Sequence, residues 1–217
     1  ILLTTIGYIM STRSRILRLS RYKNAALRLK SLNFLKVFSD NLADATGVTA
    51  SQVRKDFSIF QIAGNRRGGY QIDELLTQLN RVLGKDKLQK FIIVGIGNLG
   101  RALINYQGFV KSEIKIVAGF DIDPAKFNRK ADALILPMDE LPGFIKTNEI
   151  ELAILTVPEF AAQEAFDKLR NAGIKGILNF APIRLKSDDK VIVHNLNLET
   201  EFENLIYFVN TKTAPAD

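Results

Sequence analysis

Apolar and polar positions between Ser39 and Phe60 recur at helical spacing on either side of one glycine. Ser39–Ala45 forms a short helix candidate with Ser39 as its cap, and Gly47 breaks it. Thr49 then opens a second helix, with Gln52 three residues on, the spacing of a reciprocal cap between hydroxyl and amide. Within that helix Val53, Phe57 and Phe60 fall at i, i+4 and i+7, one apolar stripe for a core. The opposite face carries Ser51, Gln52, Arg54, Lys55 and Ser58. A short helix, a glycine turn and a polar, basic second helix make a helix-turn-helix, whose second helix enters a DNA major groove. The basic, amphipathic stretch Arg18–Val37 reads as a first helix packed behind the other two.

The rhythm changes at residue 91. Phe91-Ile92-Ile93-Val94 is a short continuous apolar run, as in a strand covered on both faces. Ile116–Phe120, Ala133–Leu136, Leu152–Thr156 and Gly176–Asn179 repeat that pattern with helix-length spacers, so the second half reads as α/β with a parallel sheet. The last segment has Phe202, Leu205, Ile206 and Val209 at i, i+3, i+4 and i+7, a one-sided apolar helix for its own core or a partner subunit. Domain boundaries are expected at 12–86, 87–197 and 198–217, with the polar Gly84–Lys90 stretch as the main junction.

Charge divides the chain at the same place. Residues 1–90 hold 16 Lys and Arg against 6 Asp and Glu, whereas 91–217 hold 14 against 17; the total is +7. A basic module joined to a mildly acidic one suits a nucleic-acid binder with a separate sensory domain. Cysteine is absent, which excludes disulfides, thiolate-bound metals and a Cys nucleophile. No apolar run approaches the ~18 residues of a membrane span, and a cytoplasmic protein is expected. Apolar Ile1–Met10 precedes its arginines, the reverse of a secretory signal, and Met10 offers an alternative start.

Two motifs carry chemistry. Gly64-Asn65-Arg66-Arg67-Gly68-Gly69-Tyr70 has the glycines of a tight β-turn with Arg66 and Arg67 at its tip, the composition of a DNA-contacting wing. Gly95-x-Gly97-x-x-Gly100 follows the first strand and opens a helix. There Gly95 makes the turn, Gly97 admits a pyrophosphate and Gly100 lets helix and strand pack closely. The backbone N–H groups of Asn98 and Leu99 would meet the phosphates. Asp121, 21 residues past Gly100, ends the second strand and can accept from adenosine ribose hydroxyls. It would repel a 2′-phosphate and no Arg immediately follows, so NADH/NAD⁺ is the expected cofactor. Thr156, Val157, Asn179, Phe180 and Pro182 end two further strands and are placed around the nicotinamide half.

A dehydrogenase would share the glycine motif, but it needs a proton donor and substrate clamp. The sole histidine, His194, lies in a late strand-like segment, so no catalytic residue and no metal site is expected. The turns at Thr156-Val157-Pro158 and Asn179-Phe180-Ala181-Pro182 are also similar to the nucleotide domain of acyl-CoA ligases, against which Asp121 and the N-terminal module weigh. A DNA-binding protein with a vestigial cofactor site is the third reading; the intact Gly95, Gly97, Gly100 and Asp121 weigh against it.

Val53-Arg54-Lys55-Asp56, the wing, Gly95–Leu103, Phe120-Asp121-Ile122-Asp123-Pro124, Leu155–Pro158 and Gly173–Pro182 together resemble the Rex redox-sensing repressors over about residues 15–210. The wing departs from that family's pattern, reading GNRRGGY where GTRGVGY is familiar. The resemblance implies a transcriptional repressor rather than an enzyme, with a winged helix-turn-helix, a Rossmann-type domain and a C-terminal helix exchanged within a homodimer. It also implies a palindromic double-stranded operator similar to TTGTGA…TCACAA, left when NADH binds and kept with NAD⁺. Tyr106 matches a tyrosine near the cofactor and the dimer interface. Asn24 and Asn197 stand where the family pairs an Arg with an Asp, and Leu198 replaces an aromatic. Coupling between cofactor and DNA is therefore expected to be weaker or differently built.

Overall fold

From Tyr8 to Thr46 the chain has neither glycine nor proline, and its first part is one long helix, α1 (Leu2–Ser31). The computed structural model describes residues 2–65, 68–130, 133–187 and 190–213. The chain divides into two units, Ile1–Lys87 and Leu88–Asp217. Helix α1 stops short of the Val37 that periodicity suggests. Asn33 turns to φ 64°, and the Phe34 N–H reaches back to the Leu29 carbonyl at 3.1 Å. This left-handed ending, which asparagine tolerates better than most residues, releases Lys36–Val37 as strand β1.

Helix α2 (Ser39–Thr46) starts one residue earlier than its sequence suggests. Ser39 is already helical and buried; Phe38 is the cap residue, its N–H donating to Asn41 Oδ1 at 2.9 Å. Gly47, at φ 70°, closes α2 and directs the chain into α3 (Ala50–Ile59). Thr49 Oγ1 caps α3 by accepting from Gln52 N–H at 3.2 Å. The reciprocal half is missing, because the Gln52 amide turns inward to Asp56 instead. Strand β2 (Tyr70–Gln71) pairs antiparallel with β1, and α4 (Ile72–Val82) completes the unit.

Leu19, Tyr22 and Ala26 of α1, Leu42 of α2, Val53 and Phe57 of α3 and Leu75 and Leu79 of α4 form this unit's core. Phe57 meets Tyr22 edge-on at 5.6 Å and Tyr70 at 5.0 Å, so three rings join α1, α3 and the wing base. Asp56 is fully buried among them. Arg18 grips it with Nε at 2.6 Å and Nη2 at 2.8 Å, while Tyr22 Oη donates at 2.9 Å and Gln52 Nε2 at 2.9 Å. Burial pushes the Asp56 carboxyl up, but the donors from Arg18, Tyr22 and Gln52 outweigh it and hold the group below its ordinary value. Burial and the bond to Asp56 push the Tyr22 hydroxyl up to about 12.

The second unit is a six-stranded parallel sheet of β3 (Gln89–Val94), β4 (Ile114–Asp121), β5 (Leu134–Pro137), β6 (Leu152–Leu155), β7 (Gly176–Asn179) and β8 (Ile192–Asn195). Its order is β5-β4-β3-β6-β7-β8, the doubly wound arrangement with a switch point between β3 and β6. Helix α5 (Asn98–Ile104) follows β3; α6 (Leu141–Asn148) and α7 (Glu159–Asn171) cover the other face through Leu141, Ile145, Phe166 and Leu169. Helix α8 (Leu198–Thr213) ends the unit with Phe202, Leu205, Ile206 and Val209 all exposed. Among the described residues no helix is long and apolar enough to cross a membrane.

Replacing Asp56 by Ala strands a partly buried Arg18 and the Tyr22 hydroxyl. At neutral pH it should remove about 3 kcal/mol of unfolding free energy, the scale for breaking a buried pair. Because the folded Asp56 pKa lies below its unfolded value, the wild-type contribution is present above about pH 4 and fades as pH falls through the folded value. Urea denaturation from pH 7 to 3 checks both: wild-type and variant midpoints should converge only in acid.

Candidate cofactor site and DNA-binding face

The cofactor crevice is built where β3 and β6 end. Thr156 N–H donates to the Val94 carbonyl at 2.9 Å, and Thr156 Oγ1 donates to the Gly95 carbonyl at 2.7 Å. Gly95 N–H completes the staple with the Phe120 carbonyl of β4 at 2.8 Å. Gly95 sits at φ 96°, and a Cβ there would lie 2.7 Å from the Thr156 carbonyl oxygen. A Cβ on Gly100 would collide with the Gly95 carbonyl, so α5 approaches the turn only because residue 100 lacks a side chain. Nothing lies within 4 Å of a Cβ built on Gly97, leaving open space over that backbone. The open space over Gly97, where α5 begins, is room for a pyrophosphate.

A cavity of about 570 Å³ opens from this turn. Of the residues singled out from sequence, Gly95, Gly97, Asp121, Thr156 and Val157 line it. Asp121 is nearly buried, and its carboxylate accepts from Ile96 N–H at 2.7 Å, Asp123 N–H at 2.9 Å and Lys126 Nζ at 2.9 Å. Burial raises its pKa, but the Asp123 N–H, Lys126 and Ile96 N–H bonds bring it below its ordinary value, so it is ionised at neutral pH. A carboxylate offers about four acceptor positions. Among the described residues three are filled, which leaves one able to take a further donor.

Lys126 was not foreseen. Asp123 caps a short 3-10 turn at Pro124–Lys126, which swings the ammonium back onto Asp121. The Asp-Pro pair two residues beyond Asp121 is the signal that could have found it.

Asn179 has a different task from the one its strand-end position suggested. It is fully buried; its Nδ2 is shared among the Ala181 and Ile183 carbonyls and Asn195 Oδ1, at 3.3, 3.0 and 2.9 Å. Its Oδ1 accepts from Ala181 N–H at 3.0 Å. The residue therefore shapes the Phe180–Ile183 turn and ties β7 to β8. Phe180 packs against Ile93, Ile96 and Ile154, on the sheet face opposite α6 and α7. Tyr106 is exposed and stacks edge-on against Phe109 at 4.9 Å. Pro182 lines a separate cavity of about 350 Å³ with Ile183, Arg184, Asn195 and Asn197. Asn98, Leu99 and Gly100 lie in the first turn of α5, beside the larger cavity but outside its lining. His194 sits on β8, the edge strand, separated from β3 and its glycine turn by β6 and β7.

On α3, Ser51, Arg54, Lys55 and Ser58 are exposed on one face, while Gln52 is half-buried and bonded to Asp56. The wing is closed by Asn65 and Gly69, which exchange backbone hydrogen bonds at 3.0 and 2.9 Å. Arg66 and Arg67 lie outside the described residues. The Gln78 amide of α4 braces the wing base, accepting from Ala63 N–H at 2.7 Å and donating to its carbonyl at 3.2 Å.

A helix-turn-helix with a wing, joined to a dinucleotide-type crevice, defines the class: a DNA-binding protein with a nucleotide-responsive domain. Residues 13–58 match the family model "Putative DNA-binding protein N-terminus", and residues 86–183 match the CoA binding domain model. The redox-sensing transcriptional repressor Rex of Oenococcus oeni is 40% identical over 199 residues, 89% of this chain and 90% of the relative. That of Caldanaerobacter subterraneus is 39% identical over 196 residues, 90% and 88% of the two chains. A crystal structure of RSP in complex with β-NAD⁺ and operator DNA aligns with a TM-score of 0.86 at 38% identity, covering 92% of this chain and 93% of that one. The β-NADH complex of RSP aligns at 0.80 with 37% identity, covering 92% and 94%. The chain belongs to the Rex family of redox-sensing transcriptional repressors.

Asn179→Ala should cost about 1–3 kcal/mol of stability by stranding buried carbonyls and the Ala181 N–H. Gly95→Ala should cost at least as much, since both its φ and its Thr156 contact are disallowed. Thermal unfolding of the purified variants reads each, with unchanged midpoints as the contrary result.

Proposed function

We propose that this chain represses transcription by holding a palindromic operator through α3 and the wing, and that NADH in the β3–β6 crevice releases it. The observation that carries this reading is Asp121. An ionised carboxylate with one acceptor position left stands at the end of β4, beside a glycine turn cleared for phosphates, in a chain that also carries an exposed basic helix. A carboxylate there accepts from a ribose hydroxyl and opposes a 2′-phosphate, which favours NAD(H) over its phosphorylated counterpart. RSP, a relative at 38% identity, is described with β-NAD⁺ and operator DNA.

In this reading Arg54 and Lys55 meet bases and phosphates, with Ser51 and Ser58 as further donors. Gln52 acts by keeping Asp56 satisfied and α3 seated. Arg66 and Arg67 add wing contacts to the backbone or minor groove. The exposed apolar surface of α8, from Phe202 to Val209, pairs with a second copy, and two α3 helices then match two half-sites. Repression assigns the chain to the cytoplasm, where the operator and the NADH/NAD⁺ pool are found.

NADH and NAD⁺ differ at one ring, neutral when reduced and cationic when oxidised. Placing that ring against Phe180, with Tyr106 and Leu198 nearby, favours the neutral form, because burying an unpaired charge is costly. Moving a dimer from 1:99 to 99:1 between two geometries takes about a 10⁴-fold preference.

Fluorescence anisotropy of a labelled TTGTGA…TCACAA duplex tests the reading. NADH should release the protein and NAD⁺ should not; binding indifferent to both would sink redox sensing, and no binding would sink DNA recognition. Asp121→Ala should weaken both cofactors alike and leave cofactor-free DNA binding intact. Arg54→Ala and Lys55→Ala should weaken DNA binding and flatten its salt dependence.

A further inference from the structure

Residues 62–64, which lead from α3 into the wing, belong to no strand. Gln78, in the second turn of α4, gives them the pairing that a neighbouring strand would supply. Its Oε1 accepts from the Ala63 N–H at 2.7 Å, and its Nε2 donates to the Ala63 carbonyl at 3.2 Å. An amide side chain suits this task, since it carries an acceptor and donors in one plane. The next residue, Gly64, lies so close to the Tyr70 ring that a Cβ would stand 2.1 Å from it. Tyr70 in turn meets Phe57 of α3 edge-on. Further out the wing closes on itself, with Asn65 Oδ1 accepting from Gly68 N–H at 3.1 Å. A cavity of about 730 Å³ at the wing base is lined by Lys36, Gly64, Tyr70, Glu74, Leu75 and Gln78 among others. That space leaves part of the wing base without side chains packed beneath it, so the hold depends on the Gln78 hydrogen bonds and the Tyr70 contact.

Resting on the reading of α3 and the wing as the DNA-binding face, we infer that Gln78 is a positioning residue for DNA binding. It ties the wing base to α4 before DNA arrives, and in this role it touches no DNA itself. Tyr70 relates the wing to α3, and Gln78 relates it to α4. A loop held at one point pivots about that point; a second, directional hold removes the pivot. Leu75 and Leu79 seat α4 in the same core as Val53 and Phe57 of α3, so wing and α3 share one frame. A loop ordered in advance spares the duplex the cost of ordering it on binding. The inference has a sharp consequence. Gln78 acts only through what the wing does, so its contribution must vanish once the wing's own DNA contacts are removed.

A double-mutant cycle on the full-length protein tests this, read by anisotropy of the labelled TTGTGA…TCACAA duplex. Its corners are wild type, Gln78→Met, Arg66→Ala with Arg67→Ala, and all three substitutions together. Methionine keeps the length and helix preference of glutamine while removing both hydrogen bonds, and Gln78→Ala serves as a second helix-favouring variant. Each should keep its fold by circular dichroism. In the wild-type background Gln78→Met should weaken the duplex about fivefold, the scale of ordering a loop segment on binding. In the background lacking Arg66 and Arg67 it should cost nothing further. Native-state hydrogen exchange at Asn65 and Gly69 should quicken in Gln78→Met, while exchange at Val53 and Phe57 stays as in wild type. An equal loss of affinity in both backgrounds would overturn the positioning role, since the side chain would then act on the unit as a whole. Unchanged affinity for Gln78→Met and Gln78→Ala would overturn it as well. Failure of the wild-type protein to bind the duplex would overturn the DNA-binding reading, and the role of Gln78 with it.

Discussion

Three strand ends meet at Gly95. Its N–H reaches the β4 carbonyl of Phe120, its carbonyl takes the Thr156 hydroxyl, and the neighbouring Val94 carbonyl takes the Thr156 N–H. This convergence sets the geometry of the whole crevice. The chain must leave β3 with a positive φ to make those bonds, and that forces glycine at the turn. The next residue, Ile96, then presents its N–H to Asp121, so the turn that leaves open space over Gly97 also aims the carboxylate. Helix α5 can close over the turn only because Gly100 adds no Cβ. One staple therefore fixes the open Gly97 backbone, the acid and the helix at once.

The N-terminal unit rests on a comparable constraint with a different chemistry. Asp56 points into the core from the helix whose other face carries the exposed Arg54 and Lys55, and a lone buried carboxylate would be prohibitive. Arg18 and Tyr22 of α1 and Gln52 of α3 satisfy it, which ties the angle of α3 to α1 through directional bonds as well as packing. Apolar contacts alone allow a helix to slide or rotate by small amounts; a bidentate guanidinium–carboxylate pair does not. Arg54 and Lys55 thus project from a helix whose rotation is fixed from behind.

Much of this was legible in the sequence because the signals are local. The glycine fingerprint, Asp121 at the strand end and the stripe of Val53 and Phe57 each state their environment within a few residues. What sequence did not reveal depends on which polar group finds which partner across the fold. Periodicity placed Gln52 on the polar face but could not see it turn inward to Asp56, or see Asp56 as buried. Asn179 reads as a strand-end ligand until its amide is found spent on Ala181, Ile183 and Asn195. The end of α1 is set by one left-handed residue, Asn33, which the pattern of apolar residues passes over. Lys126 depends on a turn that brings a residue five positions away onto Asp121.

Asn197 shows how a departure from a family pattern can be tolerated. The resemblance to Rex repressors implies an Arg–Asp pair at positions held here by Asn24 and Asn197. In this chain Asn197 Oδ1 accepts from Glu199 N–H at 2.9 Å and so caps α8. Asparagine and aspartate serve about equally well in that task, so the exchange keeps the helix start and removes only the charge. An ion pair, had it been present, would have acted over distance and been screened by salt; an apolar helix acts only in contact. With both charges gone, the proposed pairing of subunits through α8 rests on the exposed Phe202, Leu205, Ile206 and Val209. Any preference of NADH for one arrangement would then be transmitted by packing, and its strength should depend little on ionic strength even though DNA binding itself depends on it strongly.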